Sequence, residues 1–431
     1  MFSKYTSCSR FSLFAIILLT TCLGPATARA AVTAYQIDSS GGPFFGDYAD
    51  GRIDDYILEN DVIAVLISDI PHTGYYTVSG GNILDAGSTA DWIDALAELY
   101  TYFDDTWPRQ ADYSTIEITD DGSGGGQAAI RVTGVDSNDA SLTVVTDYIL
   151  NDGAEYVTIV TMIANTGGST YDMFEMGDGF HWGACDKYIP GQGFAHTDTT
   201  HEPWIAATGE TVSYGYTSPP TIMWGDHGGY WSDLNVFVEN LNPGDSTGYM
   251  RAFIVGGQDV ASVAAIAHQI WGTPTGAVAC TVSSQAGGGP IAGAKIDVYD
   301  SLDAPYLQME IGDGGEGFTT LPAGDWRLAA TAFGYHSQET WLAMTAGDPF
   351  SYHFFLEPDT TVPAKGDTLA IECLADSTTT GWTAQLQYEL IQVPLTILSS
   401  SYDATTLWWT LQTQIPTVPP VSYTHLTLPT N

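Results

Sequence analysis

The chain has 431 residues, and 51 aspartates and glutamates against 11 lysines and arginines give it a formal net charge of −40. A field of this sign repels phosphate backbones and anionic lipid surfaces, which excludes nucleic-acid binding. Hydrophobic residues make up 44% of the chain and aromatic residues 12%, enough to form hydrophobic cores, so intrinsic disorder is excluded as well. At about 150 residues per domain, this length predicts two or three domains.

Residues 1–30 have the features of a secretory signal peptide. Lys4 and Arg10 give a positive start, residues 11–19 form a short apolar segment, and residues 28–30 have the small-x-small pattern that precedes signal-peptidase cleavage. The apolar segment is shorter than the roughly 20 residues that a transmembrane helix needs. We therefore expect a secreted or periplasmic protein that is not inserted in a membrane once the signal is removed.

Three cysteines follow the predicted signal, namely Cys185, Cys280 and Cys373. Their odd number and wide spacing are not typical of a disulfide framework, even though export would permit disulfides. We expect them to be small, buried, apolar residues.

An N-terminal β-rich domain is predicted over residues 31–270. Short runs of β-branched and aromatic residues alternate with turns rich in Asn, Asp and Gly, a pattern that favours hairpins and meanders. The apolar positions of residues 142–150 alternate only loosely, which is typical of a strand covered on both faces, as in a β-sandwich. The predicted strands are 56–58, 62–67, 114–119, 127–134, 142–150 and 156–165.

Two helices are predicted inside this domain. From 88 to 103, apolar residues recur every three or four positions, and Ser88 or Thr89 can cap the start of the helix. A second, weaker pattern over residues 259–269 predicts a short connecting helix.

The sequence pattern changes after the second predicted helix. Residues 276–358 predict a small antiparallel β-sandwich, because short strands alternate there with regular glycine-rich turns. Residues 364–410 predict a further, truncated β-module. The last eleven residues, 421–431, closely resemble a translated sequencing adapter. We therefore expect this tail to be artefactual and the natural protein to continue beyond it.

Reactive side chains gather in one stretch, residues 177–233. Its glycine-rich sequence lacks clear strand periodicity, which predicts long loops at one end of a sandwich, where binding sites tend to lie. Histidines with carboxylates can bind zinc or act as an acid–base pair on sugars, and tryptophans can stack on sugar rings. Plain packing of the tryptophans with solvated histidines is the alternative, since no pair of histidines occurs at metal-ligand spacing. The candidate ligand-binding residues are His181, Trp182, Asp186, His196, His201, Glu202, Trp204, Trp224, Asp226 and His227.

A second cluster of acids suggests a calcium site. Asp47, Asp50, Asp54 and Asp55 are spaced somewhat as in a calcium loop, although the full Asp-x-Asp-x-Asp-Gly order with a twelfth Glu is missing. No other cofactor is evident. No nucleophile elbow, phosphate loop or dinucleotide fingerprint is present in the sequence, so no catalytic residue is assigned.

The 276–358 module contains a set of short motifs, at 289–294, 313–314 with Phe318, 321–324, 326–328 and 334–335. With these motifs it resembles the carboxypeptidase regulatory-like domain, a transthyretin-like β-sandwich. The resemblance implies a non-catalytic spacer or a carbohydrate-binding-like module. The strand pattern places Ile296, Val298, Phe318 and Leu328 on its inner face.

A second resemblance covers a longer part of the chain. It rests on the short segments 55–61, 80–85, 146–150 and 182–183. Over about 33 to 358 the chain is similar to exported metallohydrolases of the CehA/McbA-like group. These have a β-rich N-terminal region, a regulatory-like domain and then a catalytic domain of the polymerase-and-histidinol-phosphatase type. The metal-binding His-x-His motif of that group has no counterpart here, so no catalytic residue can be carried over.

Three hypotheses about function follow. The first is an exported, non-catalytic β-sandwich region, structural or carbohydrate-binding, from a truncated metal-dependent hydrolase. Its partners are then a polysaccharide or a downstream catalytic domain of the same gene product. The second is a carbohydrate-binding protein that uses the aromatic segment 180–231. The third is a self-contained carbohydrate-active enzyme, such as a mutarotase-like epimerase or a lyase, on the N-terminal domain.

Overall fold

The computed structural model describes residues 32–38, 42–194 and 199–359, together with four strands between residues 368 and 414. The predicted signal at 1–30, the tail at 421–431 and the candidate residue His196 lie outside the described residues. The described residues of 364–410 belong to those four strands.

The protein is mainly β, as predicted, and most of its strands form two large antiparallel sheets. Up to residue 256 the strands are β1 (Val32–Gln36), β2 (Tyr56–Asn60), β3 (Ile63–Ile67), β4 (Ile83–Ser88), β5 (Glu98–Phe103), β6 (Ala111–Asp120), β7 (Gln127–Asp136), β8 (Leu142–Asn151), β9 (Tyr156–Asn165), β10 (Tyr171–His181), β11 (Asp186–Tyr188), β12 (Thr199–Glu202), β13 (Trp204–Thr208), β14 (Ser213–Thr217), β15 (Met223–His227), β16 (Trp231–Leu241) and β17 (Ser246–Gly256).

These strands form a sandwich of a nine-stranded and an eight-stranded sheet. The nine-stranded sheet has the order β1-β2-β3-β4-β5-β10-β16-β15-β12, and the eight-stranded sheet has the order β11-β13-β14-β17-β9-β8-β7-β6. One hydrophobic core lies between them and contains Leu99 and Phe180 from the first sheet and Val144 and Phe253 from the second. Each strand therefore turns one set of alternate side chains into this core and the other set away from it.

The predicted hairpin and meander are confirmed. Strands β2 and β3 pair antiparallel around residues 60–62, and β6 to β9 pair in sequence order. Along β8, every second side chain from Leu142 to Leu150 is fully buried. The side chains between them are half-buried, in agreement with the loose alternation in the sequence.

The helix predicted from 88 to 103 is wrong. Residues 98–103 form β5, and most of the residues between 89 and 97 have no regular structure. The carboxylate of Asp94 accepts hydrogen bonds from the backbone N–H groups of Ala86 (2.9 Å) and Leu96 (3.2 Å), which holds this segment against β4. Tertiary contacts thus override a helical spacing that also fits an alternating strand.

The weaker helix prediction is confirmed by α1 (Val260–Trp271). Asp259 caps its start by accepting a hydrogen bond from the N–H of Ser262 at 2.9 Å, and Gly272 ends it with a left-handed backbone. The apolar face of α1 shares a second core with Trp204 of the large sandwich and with residues of the following module, such as Leu321. The helix is therefore a packed connector.

A second, small β-sandwich follows α1. Its strands are β18 (Thr275–Ser284), β19 (Lys295–Tyr299), β20 (Pro305–Glu310), β21 (Glu316–Pro322), β22 (Gly324–Thr331), β23 (Gln338–Met344) and β24 (Phe350–Leu356). They form the sheets β21-β18-β24 and β20-β19-β22-β23, in which only the β18–β24 pair is parallel.

The inner face of the small sandwich is largely as predicted. Ile296, Val298 and Leu328 are fully buried, but Phe318 is 67% exposed. The prediction for Phe318 is wrong because Gly317 and Thr319, its neighbours on β21, are the residues that point inward.

The last strands are β25 (Thr368–Leu374), β26 (Ala384–Tyr388), β27 (Ile391–Asp403) and β28 (Trp408–Gln414). They form one sheet with the order β25-β28-β27-β26. Among the described residues, Cys185 and Cys280 are free and buried, as expected. In the same part of the chain no helix has the length and apolar character needed to cross a membrane.

Candidate functional site

The outer side of the nine-stranded sheet carries polar and aromatic side chains on β5, β10, β16, β15 and β12, which we call the five-strand face. Strand pairing aligns these side chains in three rows across the sheet. The rows are Glu98, His181 and Trp231; then Tyr100, Gly179, Asp233, Asp226 and Thr199; then Tyr102, Gly177, Asn235, Trp224 and His201.

His181 is surrounded by aromatic rings. The ring centroid of Tyr230 lies 4.6 Å from that of His181 at an interplanar angle of 25°, and Tyr76 stacks on it at 5.5 Å. Tyr75 and Tyr48 lie 5.2 and 5.8 Å away. Burial lowers the pKa of His181, and its Nδ1 accepts a hydrogen bond from the N–H of Gly183 at 3.0 Å. The imidazole is therefore neutral at pH 7 with its proton on Nε2.

The aromatic group extends to a loop after β5. The ring of Trp107 lies 5.4 Å from that of Tyr76 and 6.5 Å from that of Tyr100. Tyr75, Trp107 and Tyr230 are 62%, 54% and 49% exposed, although each is a large apolar ring. Large rings that stay exposed beside buried polar groups are a frequent feature of ligand sites.

Glu98 lies directly opposite His181 in the strand pairing and is fully buried. Its Oε1 accepts a hydrogen bond from the N–H of Tyr76 at 2.7 Å, whereas its Oε2 has no hydrogen-bond partner among the described residues. Burial raises the pKa of Glu98 to about 8. At neutral pH its carboxyl group is thus protonated and can donate a proton.

A group of carboxylates occupies the neighbouring row. Asp233 and Asp226 face each other on β16 and β15, and Asp105 reaches Asp226 by a side-chain hydrogen bond. Burial, together with the charges of Asp105 and Asp226, raises the pKa of Asp233 to about 7. Burial and the charge of Asp233 also raise the pKa of Tyr100, which lies between this group and Glu98.

The β15–β16 hairpin, which carries Tyr230, is held by a lysine from the other sheet. The buried ammonium of Lys187 on β11 donates to the carbonyls of Gly228 and Trp231, the latter at 2.8 Å. Burial lowers the pKa of Lys187 to about 8. This contact connects the edge of the eight-stranded sheet to the residue that stacks on His181.

A buried ion pair lies beneath the five-strand face. Asp178 points inward from β10 and accepts two hydrogen bonds from Arg251 on β17, from Nε and Nη2 at 2.6 Å each. Arg251 also donates to the hydroxyls of Thr161 (2.5 Å) and Thr101 (3.1 Å), and Tyr216 donates to Asp178. These bonds fix β10 against the opposite sheet.

The structure separates the residues that the sequence grouped together. His181, His201, Trp224 and Asp226 lie on the five-strand face. Glu202 and His227 are on the same sheet, and Trp182 directly follows β10, but all three point into the interior. Asp186 and Trp204 belong to the eight-stranded sheet.

The side chains of the inward group are linked by hydrogen bonds within the protein, although Oε1 of Glu202 has no hydrogen-bond partner among the described residues. His227 contacts the hydroxyls of Thr200 and Ser232, each at 2.8 Å, and its Nε2 lies 3.4 Å from Glu202 Oε1. The indole of Trp182 stacks on Phe180 at 4.1 Å. The prediction that 177–233 consists of long loops is wrong, because the segment runs through strands β10 to β15 and into β16.

Two aspartates of the predicted calcium loop, Asp50 and Asp55, are bound to protein groups. His72 contacts both carboxylate oxygens of Asp55 at 2.9 Å and Asp50 at 3.1 Å, and Arg52 donates to Asp50 at 2.8 Å. Burial lowers the pKa of His72, but the hydrogen bonds that its imidazole donates to Asp55 and Asp50 raise it by more. In the described part of the chain, no group of three or more His, Cys, Asp or Glu side chains is arranged to hold a metal ion.

Several residues of the five-strand face were missed from the sequence. The strongest available signal was the run from Glu98 to Phe103, in which Glu98, Tyr100 and Tyr102 alternate with three other residues. Read as a strand, this run places one acid and two tyrosines on a single face. Asp233 and Asn235 on β16 were missed as well, and so were the residues of loops beside the face, namely Tyr48, Tyr75, Tyr76, Asp105, Trp107 and Tyr230.

No protein-family model matches this chain, and no curated protein does either. Among solved structures, a TPR-domain containing protein from Parabacteroides distasonis matches 52% of this chain and 55% of its own, at 10% identity and a TM-score of 0.36. The GH36 α-galactosidase AgaB from Geobacillus stearothermophilus matches 51% of this chain and 41% of its own, at 10% identity and a TM-score of 0.34.

An α-mannosidase from Enterococcus faecalis matches 57% of this chain and 40% of its own, at 7% identity and a TM-score of 0.35. This chain thus spans about half the length of these proteins or less. Several of the neighbours are carbohydrate-active enzymes, but at TM-scores below 0.5 these likenesses support no inference about fold or function.

Proposed function

We propose that the five-strand face binds a saccharide. The observation that supports this is the exposure of Tyr75, Trp107 and Tyr230 around the buried polar groups of His181 and Glu98. A sugar ring has apolar C–H faces and hydroxyls at its rim. Aromatic rings can cover the C–H faces, while buried donors and acceptors pair with the hydroxyls.

The polar groups needed to orient a sugar are available on this face. The Nε2–H of neutral His181 and the protonated carboxyl of Glu98 are donors, and Asp226 and the Oδ1 of Asn235 are acceptors. The Oδ1 of Asn235 and the Oε2 of Glu98 are buried and accept no hydrogen bond within the described residues. A buried polar atom without a partner costs about 1–3 kcal/mol, so a ligand hydroxyl that pairs with it gains that energy.

Binding is tested with the full chain and a panel of neutral, amine-bearing and uronate-bearing oligosaccharides, followed by tryptophan fluorescence and calorimetry. Trp107→Ala and Tyr230→Ala are each expected to weaken binding at least about fivefold, since stacking on one ring contributes about 1–3 kcal/mol in comparable platforms. The control is Trp341→Ala, which removes a 63% exposed tryptophan of the small sandwich. The proposal fails if no saccharide binds, or if all three variants bind equally.

Acid–base catalysis on a sugar is a second candidate function of the same site. It is favoured by Glu98, whose buried, protonated carboxyl with an unpartnered oxygen lies opposite the neutral imidazole of His181. The carboxyl of Glu98 can donate a proton and, once ionised, take one back, while the Nε2–H of His181 holds the sugar oxygen, as acid–base chemistry by an epimerase or a lyase requires. Glu98→Gln and His181→Ala should then abolish any turnover of a saccharide that still binds. Turnover that survives both substitutions rules out this candidate.

We also propose, on the motifs in the sequence, that the protein is exported and is part of a larger metal-dependent hydrolase. This proposal is supported by residues 1–30 and by the motifs of 276–358. Sequencing the gene beyond residue 420 is the direct test. If no His-x-His motif follows in the same reading frame, the metallohydrolase assignment is wrong.

A further inference from the structure

We infer that the saccharide bound by the five-strand face carries a protonated amine, that is, an amino sugar with a free amino group. This inference rests on the proposed saccharide binding. It starts from three carboxylates on this face: Asp233 and Asp226 are paired opposite each other on β16 and β15, and Asp105 shares a side-chain hydrogen bond with Asp226.

An unpartnered acceptor lies on the same face as these carboxylates. Asn235 follows Asp233 by two positions on β16, so both side chains lie on one side of the sheet. Asn235 is 1% exposed, and its Oδ1 accepts no hydrogen bond from any described residue. A buried carbonyl oxygen beside carboxylates calls for a ligand that donates hydrogen bonds, and an ammonium offers three such donors and no acceptor.

The arginines and the lysine nearest to this group are engaged away from it. The nearest in sequence, Arg109, donates to Asp104 and Asp136 at 2.6 and 2.8 Å. Arg251 is committed to Asp178 beneath the sheet, and Lys187 to two backbone carbonyls. None of these three side chains therefore balances the charge of Asp226 and its neighbours.

Mutual repulsion of these carboxylates raises their pKa values. Burial raises the pKa of Asp105, and the charge of Asp226 and a hydrogen bond with Asp226 raise it further. Burial also raises the pKa of Asp233, and the charges of Asp105 and Asp226 add to this effect. A ligand ammonium relieves this repulsion, whereas a uronate or a sulfated sugar adds to it. The ring of Tyr100, which lies between the acids and Glu98, also favours a cation through its negative face.

The experiment compares three oligosaccharides of equal length on the full chain: glucosamine, N-acetylglucosamine and glucuronate oligomers. The glucosamine oligomer is expected to bind about tenfold more tightly than its acetylated counterpart, and added salt should remove much of the difference. Asp226→Asn and Asp233→Asn should each reduce this preference. Asp112→Asn, at an exposed position of β6, has the same net charge as these variants and should retain it.

Near-ultraviolet circular dichroism of each variant checks that it is folded, and either aspartate variant alone is sufficient for the comparison. The inference is wrong if free and acetylated amines bind equally, or if the uronate binds best. It is also wrong if Asp112→Asn reduces the preference as much as Asp226→Asn and Asp233→Asn do. If the N-acetylglucosamine oligomer binds as tightly as the glucosamine oligomer and Trp107→Ala weakens both, the proposed saccharide binding still holds. Absence of binding by every sugar contradicts both proposals.

Discussion

The ring of Tyr100 on β5 lies across β10 at Gly179, in the space that a side chain at position 179 would occupy. A Cβ atom built at Gly179 would lie 2.4 Å from Cζ of Tyr100 and 2.6 Å from its hydroxyl oxygen. The two residues are paired opposite each other in the sheet. The missing side chain of Gly179 thus lets Tyr100 reach towards Asp233 on the far side of β10, and it connects the aromatic group to the carboxylates.

Substituting Gly179→Ala should displace Tyr100 and destabilise the protein by about 1–3 kcal/mol, the usual cost of adding a methyl group to a packed position. Saccharide affinity should fall as well. The matched control is Gly168→Ala, where no atom lies within 4 Å of the added Cβ. Urea unfolding of both variants measures the difference, and equal stabilities would show that Tyr100 can move aside without cost.

Removing the cation of the buried ion pair should be far more destabilising. Arg251→Met leaves the carboxylate of Asp178 buried and without its charge partner, which costs about 3–5 kcal/mol. In the double variant Arg251→Met with Asp178→Leu no charge remains buried, so most of this loss should be recovered. The free energy of unfolding in urea tests both statements, and a double variant as unstable as Arg251→Met contradicts the charge argument.

Glu98 should make stability fall as pH rises. Its pKa is about 8 in the folded protein against an ordinary value of 4.5. Between these values the folded state holds a proton that the unfolded chain has released, so the contribution of Glu98 is present below 4.5 and is lost towards 8. Glu98→Gln cannot titrate, and its stability should therefore fall less over this range than that of the wild type. Parallel profiles for the two proteins would contradict the assignment.

His268 should act in the opposite direction, at the contact between α1 and the small sandwich. Its Nε2 lies 2.6 Å from the hydroxyl of Tyr306, and burial lowers its pKa from 6.5 to about 4. As pH falls through this range the unfolded chain binds a proton before the folded protein does, so stability is lost. His268→Gln should remove this part of the acid sensitivity. The exposed His336→Gln serves as the control, and thermal unfolding at a series of pH values is the measurement.

Lys187→Met should loosen the hairpin that carries Tyr230. Without the ammonium, the carbonyls of Gly228 and Trp231 each lose a charged donor, and Tyr230 should no longer stay at 4.6 Å from His181. The imidazole proton signals of His181 in NMR report this change, because a stacked ring shields them. If these signals do not shift while the protein stays folded, Lys187 has no part in positioning Tyr230.

Local patterns in the sequence predicted much of the fold. The meander from β6 to β9 and the helix capped by Asp259 are specified by alternation, turn residues and caps that lie within about ten residues of each other. The segment from 88 to 103 misled because its apolar spacing fits a helix as well as a strand. Hydrogen bonds of Asp94 to Ala86 and Tyr214, which lie outside that segment, decide in favour of the strand.

The candidate site was predicted only in part. Four of its residues were named correctly, but they were expected on loops. His181, His201, Trp224 and Asp226 lie on strands of one sheet face, where loops were expected. Trp182 and His227 were grouped with them because they are close in sequence. Consecutive residues of a strand point to opposite faces of the sheet, so residues that are adjacent in the sequence do not share a face.

The sequence by itself determined the acidic character of the protein, its mainly β class and the alternation within most strands, since each depends on composition or on near neighbours in the chain. Only the tertiary structure decided that Glu98 faces His181 and that Asp105, Asp226 and Asp233 meet. These contacts depend on the strand order β5-β10-β16-β15, which joins distant segments through the packing of two sheets. The raised pKa values of Glu98 and Asp233 arise from that burial and that convergence, neither of which a local pattern contains.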